Sequence, residues 1–128
     1  MVDQISPATH IALLAPVPKV HLDSALTTMG NVNKVAFGSR AYDVFIKLNE
    51  IRDGEPVDVF IYESYGSGQY EFKVSWRARY LRFEEAVNGM HPNPEFRPLS
   101  TLRDTNDSLL FWEVDSLQQV LEPVQKLR

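Results

Sequence analysis

Residues 57–80 read VDVFIYESYGSGQYEFKVSWRARY, and the fold turns on how this stretch is interpreted. From Gln69 to Tyr80 it alternates strictly. Tyr70, Phe72, Val74, Trp76, Ala78 and Tyr80 fall on even positions, and Gln69, Glu71, Lys73, Ser75, Arg77 and Arg79 on odd ones. Successive side chains of a strand point to opposite faces, so one face is aromatic and apolar and the other polar and basic. A helix would scatter these residues around its circumference. Upstream, Val57, Val59 and Ile61 alternate with Asp58, Phe60 and Tyr62, and Gly66-Ser67-Gly68 permits positive φ between the two runs. The stretch is predicted to be a β-hairpin. At roughly 3.3 Å per residue its second strand would be about 40 Å long, long enough to coil with its own twist and to favour a barrel or a strongly bent sheet.

The rest of the chain bounds what this hairpin can belong to. At 128 residues, 44% hydrophobic and 23% charged, the chain suits one folded domain with one core. It has no cysteine. Disulfides, thiolate metal ligands and a cysteine nucleophile are therefore excluded, and a reducing, cytoplasmic location is the expectation. The longest apolar run, Ile11–Val17, is broken by Pro16 and is far short of the roughly 20 residues that span a bilayer, so no membrane association is expected. Met1–Ser6 lacks a basic start and an apolar continuation, so no signal peptide is expected. Without secretion, the acceptor pattern Asn106-Asp107-Ser108 carries no meaning. The net charge of −4 argues against a protein that simply coats nucleic acid. Between Lys73 and Arg103, however, basic residues (Lys73, Arg77, Arg79, Arg82, Arg97, Arg103) outnumber acidic ones (Glu84, Glu85, Glu95), and a local basic surface can still hold a phosphate backbone.

Taken in order, residues 1–9 are expected to form an arm and 10–128 a single domain. His10–Ala15 is a buried strand stopped by Pro16 and Pro18. Leu22–Met29 is a short helix, with Asp23 and Ser24 in its first turn and Gly30 at its end, and Asn31–Lys34 is a turn. Val35–Leu48 permits two interpretations. A strand at Val35–Phe37 followed by a helix capped by Ser39 would align Ala41, Phe45 and Leu48; alternatively Ala41–Ile46 is a strand, which its β-branched and aromatic content favours. Arg52–Pro56 is a turn. After the hairpin, Phe83–Val87 is expected to make helical turns ending at Asn88-Gly89. Met90–Pro98, with three prolines, is a loop long enough to raise a functional question. Arg103–Ser108 turns into a central strand at Leu109–Val114, apolar on both faces. Ser116–Leu121 is predicted to be a short helix stopped by Pro123. The sum is an α+β domain of about five or six strands, mixed but mostly antiparallel, with short flanking helices and a long hairpin that favours a barrel or a strongly bent sheet.

Catalytic patterns are sparse. His10, His21 and His91 are far apart and no HExxH pair occurs, so no metal is expected. No GxSxG, GxxxxGK[ST] or GxGxxG motif is present. Asp104-Thr105-Asn106-Asp107 begins like a calcium loop, but Leu109 stands where glycine is needed and Asp115 where a bidentate Glu belongs. Glu84 and Glu85 are sequence neighbours and would diverge on a helix. The aromatic residues are mostly core. Tyr62, Tyr65 and Trp76 are the exceptions, because hairpin ends would carry them to a rim where a ring beside an arginine can stack on an unpaired base.

The order of elements, and the segments FGSRAYDVF (37–45), VDVFIYES (57–64) and FWEVDSLQQVLEPVQKL (111–127), resemble the PUA-like superfamily, nearest in flavour to its ASCH and EVE branches. Asp53-Gly54 precedes a strand of the V-x-V/I-Y-x-S type, Gly68 to Val74 loosely matches the start of the next strand, and Trp112-x-Val114 is followed by Pro123-Val124-x-x-Leu127. The ASCH signature Gly-x-Lys-x-x-Glu-x-Arg is matched by Gly38, Arg40 and Asp43, with Phe45 where the signature ends in arginine.

The resemblance implies a pseudo-barrel whose cleft accepts RNA or a modified nucleobase, without catalysis and without a cofactor. Gly38, Arg40 and Asp43 would line the cleft. From the residues themselves, Tyr62, Ser64 and Trp76 would lie near it, and Arg77, Arg79 and Arg82 would hold the backbone. The expected function is a non-enzymatic module for RNA or a modified base in nucleic acid. Two alternatives stand beside it. One is an assembly module whose basic face meets an acidic partner or a second copy in a homodimer. The other is a small hydrolase of nucleoside-like substrates using Asp43, Arg40 and Glu63.

Overall fold

The computed structural model describes residues 11–64, 70–103 and 107–124. The expected arm at 1–9, the turn at Gly66-Ser67-Gly68, Tyr65 and most of the Asp104–Asp107 segment lie outside them. The elements are β1 (Ala12–Pro18), α1 (Lys19–Val32), β2 (Val35–Ser39), α2 (Tyr42–Ile51), β3 (Val57–Ser64), β4 (Tyr70–Glu85) and β5 (Leu110–Val124), with short 3-10 turns at Pro94–Phe96 and Leu99–Arg103 before β5. The strands form one sheet in the order β1-β3-β4-β5-β2. Only β1 and β3 run parallel. The sheet curls into a half-barrel around the two helices, an α+β pseudo-barrel.

The hairpin is the spine of this sheet. Strands β3 and β4 pair antiparallel from Val57↔Tyr80 to Ser64↔Tyr70, and β4 continues to Glu85. Strands this long must bend. Register shifts supply the bends, on either side of Tyr62 in the β3/β4 ladder and at three places along the β4/β5 ladder. One of these places is Ser116 of β5, whose φ is 56°. There the predicted helix at Ser116–Leu121 is absent. The chain stays extended because Asp115, Gln118 and Gln119 pair with Arg79, Arg77 and Trp76 of β4. The helical turns predicted at Phe83–Val87 are likewise strand, since Phe83, Glu84 and Glu85 pair with β5. Asn88 and Gly89 then take positive φ (56° and 78°) inside the Val87↔Met90 bridge, the two-residue turn that Asn-Gly favours.

The N-terminal half needs three further corrections. Strand β1 runs through Pro16, because it is an edge strand where a missing N–H is tolerated, and stops at Pro18. Helix α1 is longer than expected at both ends. Pro18 stands before its first residue, and Asn33 ends it in the left-handed conformation (φ 65°), donating to the Met29 carbonyl; Gly30 lies inside the helix. Residues 42–51 are helical, so the strand favoured at Ala41–Ile46 does not form. Phe45 and Leu48 are buried one turn apart while Val44 and Ile46 are exposed, and the Ser39 hydroxyl accepts the Ala41 N–H just ahead of the helix. Tertiary burial of one helical face outweighs the β-propensity of Val44, Phe45 and Ile46.

Both helices cover the concave face of the sheet. Leu22 and Ala25 of α1 and Phe45 and Leu48 of α2 join Val59, Ile61, Trp76, Tyr80, Leu110, Trp112 and Val114 in one core. Phe45 stacks on Trp112 (centroids 5.9 Å apart, planes at 23°). Strand β5, with neighbours on both sides, is buried on both faces from Leu110 to Val114, as the apolar run LLFWEV predicts.

Candidate binding surface

The predicted site residues fall at two ends of the sheet. Ser39 of β2 is level with Leu110 of β5, which is level with Glu85 at the end of β4. Gly38, Arg40 and Asp43 therefore cluster there. Tyr62 and Ser64 pair with Val74 and Tyr70 near the start of β4. Trp76 and Glu85 are separated by about 30 Å of extended strand, so Tyr62, Ser64 and Trp76 do not share a site with Arg40 and Asp43. The hydrolase alternative, which needs Glu63 beside Asp43, meets the same separation.

Each residue has a local role. A Cβ on Gly38 would collide with Ser108 Oγ, so glycine there lets residues approaching β5 pack close. Arg40 donates to the Asp107 carbonyl, and Asp43 is exposed in the first turn of α2. Trp76 is not at a rim. It is buried in the core, where its Nε1–H donates to Glu63 Oε2 at 3.0 Å. Tyr62 is buried as well.

The arginines divide. Arg79 forks onto Asp115 through Nε (2.9 Å) and Nη2 (2.7 Å), and those hydrogen bonds hold the Asp115 carboxyl below the usual carboxylate range. Arg82 pairs with Glu84 at 2.6 Å and reaches Glu113 at 3.4 Å. Arg77 is exposed and forms no ion pair with another described residue.

The convex face of the sheet has one covered part and one open part. Beneath the segment from Ala86 to Arg103 lies Glu113, 1% exposed, a functional-looking group that no sequence motif marks. It accepts from Lys34 Nζ at 3.1 Å and from His91 Nε2 at 3.0 Å. The Asn93 backbone N–H donates to His91 Nδ1 at 2.8 Å, which places the proton of the neutral ring on Nε2, facing Glu113. Burial pushes the Glu113 carboxyl up, but hydrogen bonds from His91 and Lys34, with the charges of Lys34 and Arg82, outweigh it and bring it down to about 2. The Lys34 ammonium also sits 4.3 Å above the Phe96 ring. Farther on, Arg97 donates to the Ala36 carbonyl of edge strand β2 at 2.6 Å, Thr28 donates to the Arg97 carbonyl, and Ser100 bonds His21 and Ser24 of α1. The segment thus straps β2 to α1. One carboxylate inside LLFWEV is the signal for this network: in a doubly buried strand it must find cations or donors.

The open part lies over β1, β3, β4 and the part of β5 beyond the strap. Leu14, Phe60, Arg77 and Gln118 stand level across four strands. They are flanked by the core rows Leu13–Val59–Ala78 and Ala15–Ile61–Trp76, so by strand alternation they face outward. Leu14 is 48% exposed, Phe60 is half-buried, and Arg77 and Gln118 are exposed. The next row is Ala12, Asp58, Arg79 and Asp115.

The fold and this surface define a curled mixed-sheet α+β domain with an open convex face. Comparison with known protein families, curated proteins and solved structures finds no match. Among the described residues, no group of His, Asp or Glu could hold a metal ion, and no helix is long and apolar enough to cross a membrane.

Proposed function

We propose that this protein is a binding module for nucleic acid, RNA or a modified base within it, and that the contact surface is the open convex face of β1, β3, β4 and β5. The carrying observation is the row Leu14–Phe60–Arg77–Gln118, which sets a partly exposed ring between an apolar side chain and a guanidinium that forms no ion pair among the described residues. A ring in that setting can stack on a base, a guanidinium beside it can hold phosphate, and an amide can meet a base edge. The PUA-like resemblance points to the same ligand class. The contact residues differ from those it implies: Phe60 and Gln118 join Arg77, whereas Arg79 and Arg82 are engaged by carboxylates.

The test is fluorescence anisotropy with labelled RNA and DNA oligonucleotides at low salt, with an unrelated acidic protein as the baseline. Binding above that baseline, weakened by Phe60→Ala and by Arg77→Ala, is the expected outcome. Binding no stronger than the baseline across the panel overturns the proposal.

A further inference from the structure

Resting on that nucleic-acid role, we infer a narrower ligand: a single strand, held by one stacked base and one phosphate, with duplex rejected. The charge arrangement is the first ground. A duplex presents a phosphate about every 1.7 Å along its axis, and a surface that holds it needs several free cations. Here Arg79 is forked onto Asp115 at 2.7 and 2.9 Å, Arg82 is bound to Glu84 at 2.6 Å, and Asp58 is exposed level with Arg79. Carboxylates placed one row from the contact residues repel a dense polyanion, while a single flexible strand can route its other phosphates away from them.

The ring geometry is the second ground. Phe60 lies on the sheet face between its neighbours Leu14 and Arg77, so only a base whose own face is free can stack on it. Bases inside a duplex have both faces occupied. Third, the sheet edges are closed to a competing mode. Strand β1 carries Pro16 and Pro18, which lack N–H groups, and β2 has its Ala36 carbonyl taken by Arg97. An extended peptide adding to an edge is thereby disfavoured, which leaves the face as the contact surface.

Anisotropy titrations over a salt series would test this with three probes of one sequence: single-stranded RNA, single-stranded DNA and the DNA duplex. Single strands are expected to bind at least ten-fold tighter than duplex. The slope of log affinity against log salt should be about −0.7, the value for one neutralised phosphate on a single strand. Phe60→Ala should weaken single-strand binding about ten-fold at unchanged slope, with Phe60→Tyr retaining it. Arg77→Ala should flatten the slope. Asp115→Asn, which releases Arg79, should steepen the slope and raise duplex affinity. Far-ultraviolet circular dichroism of each variant checks its fold, and Phe60→Tyr keeps the test open if Phe60→Ala unfolds. Duplex binding as tight as single-strand binding, or a slope steeper than about −2, overturns the single-strand inference and leaves the nucleic-acid role standing. No binding by any probe removes both. So does a dimer, seen by light scattering, that Phe60→Ala dissociates, for then the face serves a second copy.

Discussion

The two parts of the convex face use similar side chains to opposite ends. Under the strap, the buried Glu113 carboxylate meets the buried His91 and is reached by Lys34 and Arg82 from the solvent side. On the open part, Asp115 meets Arg79, whose side chain is about half exposed. Both centre on a β5 carboxylate reached by a β4 arginine, and Glu113 adds Lys34 and His91 from outside these strands. Burial makes the first a structural fastening whose loss leaves groups stranded, whereas water makes the second a weak pair that mainly sets local charge. The strap therefore decides which part of the sheet is core and which part is surface.

The largest effect expected from this contrast comes from Glu113→Ala. It strands the buried His91 Nε2–H and leaves Lys34 without its carboxylate, and should cost about 3–5 kcal/mol in urea unfolding. A loss under 1 kcal/mol, in the range of an exposed pair, would erase the distinction between the two parts.

Acid should reveal the same fastening. The Glu113 carboxyl is depressed in the folded state from 4.5 to about 2, so the stability it contributes is fully present above about pH 4.5 and is lost as pH falls toward 2. On the order of 3 kcal/mol should disappear across that window. In Glu113→Gln the contribution of this group to the acid loss should be missing, so the difference between wild type and variant should shrink as pH drops. A difference that stays constant from neutral pH to pH 2 would show that Glu113 is not the group responsible.

On the open part, Arg79→Ala removes the fork to Asp115 and should cost much less stability in urea unfolding than Glu113→Ala, and less still at high salt. Smallest of all, Arg77→Ala should change stability by no more than about 0.5 kcal/mol, because no carboxylate among the described residues depends on it. Paired with a loss of oligonucleotide binding, that null effect would separate a contact residue from a structural one.

The elements most legible in the sequence were those with a clean period. The run from Tyr70 to Tyr80 is strand, and its apolar face is buried at Val74, Ala78 and Tyr80 and also at Trp76, which the sequence reading places at a rim. The apolar run LLFWEV is a strand buried on both sides. Less legible were segments whose fate depended on a partner. Phe83–Glu85 and Ser116–Gln119 could have been helical in isolation, but each is extended because it pairs with the other strand of the β4/β5 ladder. Residues 42–51 erred the other way, helical despite their β-branched and aromatic content. The proposed surface is half legible: alternation marks Arg77 on the polar face of the hairpin, whereas Phe60 is one aromatic among many in the sequence and only strand pairing sets it beside Arg77.

Local alternation and punctuation in the amino-acid order were enough to specify a long coiled hairpin at the centre of a mixed α+β domain, because strand periodicity is a property of the backbone itself. Tertiary structure alone decided that Arg79 and Arg82 would be engaged and Arg77 left open, that Glu113 would be buried among cations, and that Gly38 and Trp76 would lie at different ends. Those outcomes depend on which strand lies beside which and at what register, and pairing between residues distant in sequence is not encoded in the period of either one.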